Sequence, residues 1–134
     1  MSHTGWGSAA PIFRVASLAE RVEYYTRVLG FAVGWSYPTI ASVVRDRCDI
    51  LLSMDEQGEP VTWCWIGVPD VRVLHEDLRG RGARIRQPPT HFPWALEMQV
   101  EDLDRNVLRL GSEPLDGVPH GPWLDMHGRQ WQFT

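Results

Sequence analysis

A chain of 134 residues, 43% hydrophobic and 22% charged, is long enough for one domain that buries a sizeable core without disulfide staples. Thirteen Lys and Arg against seventeen Asp and Glu leave a formal charge of -4, which argues against nucleic acid as a partner, and no apolar run approaches the length of a bilayer span. Tryptophan is the outlier, with seven copies.

Residues 1–8 read as a flexible lead-in, with neither the basic nor the apolar region of an export signal, and a cytoplasmic location is expected. "PIFRVA" follows as a strand, and then "SLAERVEYYTRVLGF", where Ser17 and Glu20 have the spacing of a capping box. Leu18, Val22, Tyr25 and Leu29 recur at helical spacing, and Gly30 stops the helix. Three strands are expected next, "FAVGWSY", "IASVVRD" and "DILLSM". After the polar turn "DEQGEP" the order repeats. "VTWCWIGV" is a strand, and "PDVRVLHEDLRGRG" a helix capped by Asp70, with Val71, Leu74 and Leu78 as its apolar stripe. "ARIRQ", "WALEMQVED" and "NVLRL" are the three strands after it, with the Pro-rich "QPPTHFPW" as a loop between the first two.

The chain therefore reads as α+β, built from two βαβββ repeats over 9–54 and 61–112, with 113–134 as a C-terminal arm. Cys48 and Cys64 sit in apolar strands and are expected as buried, reduced thiols. The basic stretch "RGRGARIR" (79–86) reads as a solvated helix end, and His91 as a solvated side chain. In the tail, His120, Asp125 and His127 match no compact ligand spacing, so an extra hairpin is expected there rather than a metal site.

Period-two alternation puts Trp63, Trp65 and Gly67 on one face of their strand and Thr62, Cys64, Ile66 and Val68 on the other. Likewise Leu96, Met98 and Val100 turn toward the helix while Glu97 and Gln99 turn away, and Leu108 and Leu110 turn inward while Val107 and Arg109 turn away. Two indoles on a face opposite the helix, among polar residues, suit a cleft that stacks planar ligands. Trp35, Tyr37, Phe92 and Trp94 are further aromatic candidates around it. The alternatives are that the indoles plug a core and that Arg109 simply pairs with Glu97.

The two βαβββ units, with "YYTRVLGF" ending the first helix and "VEDLDRNVLRL" as the last hairpin, resemble the vicinal oxygen chelate superfamily of glyoxalases, extradiol dioxygenases and bleomycin-resistance proteins. "ASVVRD", "WCWI" and "PWALEMQVEDLDRN" are closest in style to the bleomycin-resistance branch. The resemblance implies half-barrel sheets with the fold's metal-ligand positions at Ala10, Leu52, Trp63 and Arg109, none of which is an ordinary metal ligand. It further implies metal-independent capture of a planar aromatic or cationic, bleomycin-like antibiotic by a cytoplasmic homodimer, with clefts between the subunits and no cofactor. Trp35, Tyr37, Trp63, Trp65, Phe92, Trp94, Glu97, Gln99 and Arg109 are the expected ligand-binding residues, with Glu97 supplying charge complementarity. The other readings are a metal-free lyase or isomerase using Glu97 as base near Arg109, and a protein-interaction module built on the tryptophan patch.

Overall fold

The computed structural model describes residues 3–132. Strand β1 (Ile12–Arg14) leads into helix α1 (Leu18–Glu23), which continues through a π-helical turn, Tyr24–Val28. Strands β2 (Ala32–Ser36), β3 (Ile40–Arg45) and β4 (Cys48–Ser53) complete the first module. The second repeats it with β5 (Trp63–Gly67), α2 (Val71–Gly80), β6 (Arg84–His91), β7 (Leu96–Glu101) and β8 (Val107–Ser112). The sheets have matching strand orders, β1-β4-β3-β2 and β5-β8-β7-β6, and in each the first strand runs parallel to the last. The α+β fold with two βαβββ modules is thus what the alternation and the repeat predict.

Each helix covers one face of its own sheet, and one continuous core joins the modules. Phe13, Val43, Ile50 and Leu52 fill it from the first sheet, Met98, Val100 and Leu108 from the second, and Tyr25, Leu29, Val71 and Leu78 from the helices. The modules are locked where α1 and its π turn meet the β7–β8 hairpin. Tyr25 Oη donates to buried Asp102 Oδ2 at 2.9 Å, Tyr24 Oη donates to the Glu101 carbonyl at 3.1 Å, and Arg21 Nε donates to Asp104 Oδ2 at 2.8 Å. Asp102 also accepts from Asn106 Nδ2 and from the backbone N–H groups of Asp104 and Asn106, which fixes the hairpin turn. Burial pushes the Asp102 carboxyl up, while these hydrogen bonds pull it down.

Three local expectations are corrected. The capping box does not form: Ser17 makes no side-chain cap, Glu20 binds Arg21 instead, and the Leu18 N–H points at Met54 Sδ at 3.2 Å. The helix closes through a π turn, the Leu29 N–H bonding the Tyr24 carbonyl, and the two adjacent tyrosines are both buried. "QPPTH" is not a loop: β6 runs through it to His91, and register shifts against β7 at Gln87 and Thr90 accommodate two prolines on an edge strand.

Beyond β8, the arm turns back along β6 and ends in a hairpin of β9 (Trp123–Leu124) and β10 (Gln130–Trp131). Asp125 closes the hairpin, accepting from the backbone N–H groups of His127 and Arg129 and from Trp131 Nε1, while Trp123 stacks on Trp131 with centroids 5.7 Å apart. Among the described residues no helix is long and apolar enough to cross a membrane.

Candidate functional site

The face of the second sheet opposite α2 collects most of the expected residues, because the strand registers place them in rows. Trp65 lies opposite Arg109, Arg109 opposite Gln99, and Gln99 opposite Gln87; one step along, Gly67, Gly111, Glu97 and Thr90 form the next row. The two glycines decide what happens between the rows. A Cβ on Gly111 would fall 2.9 Å from Trp65 Cζ2, and one on Gly67 would fall 3.4 Å from Trp65 Cη2 and Cζ3. With only hydrogens there, the Trp65 indole lies across both strands and its Nε1 donates to Glu97 Oε2 at 3.1 Å.

Glu97 is the hub of this cluster. It is 2% exposed and both oxygens are engaged: Oε1 accepts from Arg109 Nε at 3.1 Å and Nη2 at 2.9 Å, and Oε2 accepts from the indole N–H groups of Trp65 and Trp94. A buried carboxylate needs such partners. Its role therefore differs from the one expected, since it offers a ligand neither an open charge nor a free lone pair for proton abstraction, and instead it fixes two tryptophans and an arginine. Trp65 and Trp94 stay about half exposed, at 53% and 47%. Trp94 also stacks on Phe92, with centroids 5.4 Å apart, and Phe92 itself is buried.

Further along the face the site closes on itself. The Arg86 guanidinium sits 5.1 Å from the centroid of Trp63, covering that ring, and bonds the side-chain oxygen of Gln99 and the carbonyls of Leu124 and Asp125. Gln99 in turn donates to the Leu124 carbonyl, and Gln87 holds the Pro122 carbonyl and the Leu124 N–H, so the arm lies over this half of the face. Arg86 ends the basic stretch expected as a solvated helix end, and with Gln87 it also belongs to "ARIRQ", expected as a strand, which is what forms. Within that strand Arg84 and Arg86 flank Ile85 as period-two neighbours, which takes Arg86 to the same side as Gln99. His91 is likewise buried rather than solvated. Its Nδ1 donates to the Val118 carbonyl and its Nε2 accepts from the Leu115 N–H, each at 2.9 Å, which anchors the arm.

Two expected residues are elsewhere. Trp35 and Tyr37, with ring centroids 5.7 Å apart, lie at the exposed β2 edge of the first sheet, away from the Trp65 cluster in the strand order. The expected metal-ligand positions fare differently again. Leu52 points into the core, so the positions of β4 facing away from α1 are Leu51 and Ser53, and with Ala10, Trp63 and Arg109 they offer neither imidazole nor carboxylate. Among the described residues no three His, Cys, Asp or Glu side chains converge, and the donors present do not fit a catalytic metal. In the tail, Asp125 is engaged within its hairpin and His120 packs beside His91 with centroids 5.1 Å apart.

A profile of the Glyoxalase/Bleomycin resistance protein/Dioxygenase superfamily matches residues 2–110. Among solved structures, TioX from Micromonospora sp. ML1 is 18% identical with a TM-score of 0.68, over 80% of this chain and 99% of that one. The bleomycin-binding protein of Streptomyces verticillus, solved with copper(II)-bleomycin, is 21% identical with a TM-score of 0.68, over 81% of this chain and 98% of that one. TnmS3, an antibiotic binding protein from Streptomyces sp. CB03234, is 19% identical with a TM-score of 0.64, over 79% of this chain and 96% of that one. No curated protein matches.

Proposed function

We propose, for a chain that belongs to the Glyoxalase/Bleomycin resistance protein/Dioxygenase superfamily, a function of capture: it binds a planar aromatic small molecule of the antibiotic type and holds it without chemical change. The observation that carries this is the Trp65 indole, half exposed, seated over Gly67 and Gly111 and tied through its N–H to a buried carboxylate. A large aromatic surface held in place before the ligand arrives lowers the ordering cost of binding, and each stacked ring adds about 0.5 to 1.5 kcal/mol beyond buried area. That two of the solved structures described above are named for binding bleomycin or an antibiotic supports the same reading. Saturation of Glu97 speaks against the lyase or isomerase alternative, which needs it as a base.

In this reading the chain works as a homodimer. The first sheet leaves Ile12, Ile40, Val44 and Leu51 only partly buried on the face away from α1, with Trp35 and Tyr37 exposed at its edge, and a second copy covering that face would set this aromatic pair against a neighbouring site. The two free thiols suit a reducing cytoplasm.

Calorimetric titration of the full chain with bleomycin and a panel of flat aromatic antibiotics tests the reading, with Trp65→Ala beside it and light scattering for the dimer. Micromolar binding that weakens about fivefold or more in Trp65→Ala is expected. Absence of binding across the panel, or recovery of a chemically altered compound, contradicts capture, and a monomer mass contradicts the dimer.

A further inference from the structure

We propose that the Trp65 platform selects flat aromatic ligands carrying an anionic oxygen, and that Arg109 is the residue that reads that oxygen; this rests on the capture reading above. What carries this is which polar groups beside Trp65 are left open. Glu97 is 2% exposed, and four donors occupy its two oxygens, so its charge is closed to a ligand. Arg109 is different. Its side chain is 33% exposed, it reaches Glu97 through Nε and Nη2, and its Nη1 has no partner among the described residues. That nitrogen belongs to a side chain lying beside Trp65 in register, so a ring on the indole brings its edge within the guanidinium's reach.

The other charged groups of the face lie away from Trp65. Arg86 bonds neutral oxygens, those of the Gln99 side chain and of the Leu124 and Asp125 carbonyls, and covers Trp63 rather than Trp65. Glu101 shares the face with Glu97 and Gln99, but it lies in the row of Trp63 and Val107, beside Arg86 and Arg84, and is four residues along β7 from Glu97, roughly 13 Å away. Asp125 turns its carboxylate into its own hairpin. At Trp65 itself, then, the group left open is a donor, Arg109 Nη1, while both oxygens of the neighbouring carboxylate are taken. An anionic edge gains a charge-assisted hydrogen bond from Arg109, whereas a cationic ligand meets like charge in a partly desolvated site.

The test uses one ring system in three charge states: 2-naphthoate, 2-naphthamide and 2-naphthylmethylammonium, titrated into the full chain by tryptophan fluorescence and calorimetry at low and high salt. Binding should follow that order, with naphthoate about tenfold or more tighter than the amide, and added salt should weaken naphthoate selectively. Arg109→Gln should erase the preference. Because that change strips a buried carboxylate of its ion partner, Glu97→Gln with Arg109→Gln is made beside it, keeping polar groups in place without charge. Equal binding of the three probes, preference for the ammonium, or a preference that survives in a folded double variant overturns the inference while leaving capture standing. Failure of all three probes to bind at millimolar concentration overturns both.

Discussion

Gly111→Ala is the sharpest perturbation of the platform, because it adds one methyl group and touches nothing outside the site. The new Cβ would lie 2.9 Å from Trp65 Cζ2, 3.2 Å from Trp65 Cε2 and 3.1 Å from Glu97 Cγ. Gly111 is outside the left-handed region, so the backbone accepts alanine and the whole effect comes from those contacts. Glu97 is held by four hydrogen bonds, while the half-exposed indole is free to swing outward, so Trp65 is the group that yields. Its bond to Glu97 is then lost, and part of the overlap strain is relieved, which together should cost about 1 to 2 kcal/mol of stability. Binding of 2-naphthoate should weaken about tenfold, since the stacking surface leaves its fixed position. Urea melts and fluorescence titrations measure both. Gly80→Ala is the control, as its Cβ would meet nothing within 4 Å. A Gly111→Ala protein that melts and binds like the parent would refute the placement of the indole.

Other outcomes follow from the rest of the structure. Asp102→Ala leaves the Tyr25 hydroxyl and two backbone N–H groups without their acceptor and takes one of two acceptors from the Asn106 amide, and should cost about 3 kcal/mol or more in urea denaturation, against about 1 kcal/mol for Tyr25→Phe. Burial, aided by Cys64 and Asp49, pushes the Cys48 thiol up to about 11 from its ordinary 9.0. The folded state thus keeps that proton longer than the unfolded chain does, so the contribution is complete below pH 9.0 and is lost as pH rises toward 11. Stability measured across that window should fall less steeply in Cys48→Ala than in the parent. His91→Phe removes two anchors of the arm, and hydrogen exchange should accelerate at Leu115 and Gly121 while the amides of β7 and β8 keep their protection.

The fold was legible because both signals that encode it are local. Alternation in "WCWIG" and "LEMQVE" separates a core face from an open face, and the repeat supplies the second module from the first. The partners of the site residues were not legible, because they depend on register and on chain segments far apart. The spacing of Glu97 and Arg109 says only that they occupy neighbouring strands; that Trp65 reaches the same carboxylate depends on glycines at 67 and 111 meeting side by side. Arg86 lies in a strand that the pattern does predict, but its partners there do not follow from the basic cluster around it. The arm was read as an appendage, and its carbonyls, which hold Arg86 and Gln99, are backbone groups that carry no residue-type signal. The capping box failed for a related reason: Arg21 drew Glu20 away from the helix start.

The central claim is that a planar molecule rests on Trp65. The direct measurement is an NMR titration of protein carrying nitrogen-15 only in its tryptophans, with 2-naphthoate as the probe and Trp65→Phe assigning the key resonance. The Trp65 and Trp94 indole N–H signals should lie downfield, as donors to a carboxylate do, and should shift together as the probe is added, while the signal of Trp6, 99% exposed, stays in place. Saturable shifts confined to other indoles, or none at all, would contradict the account.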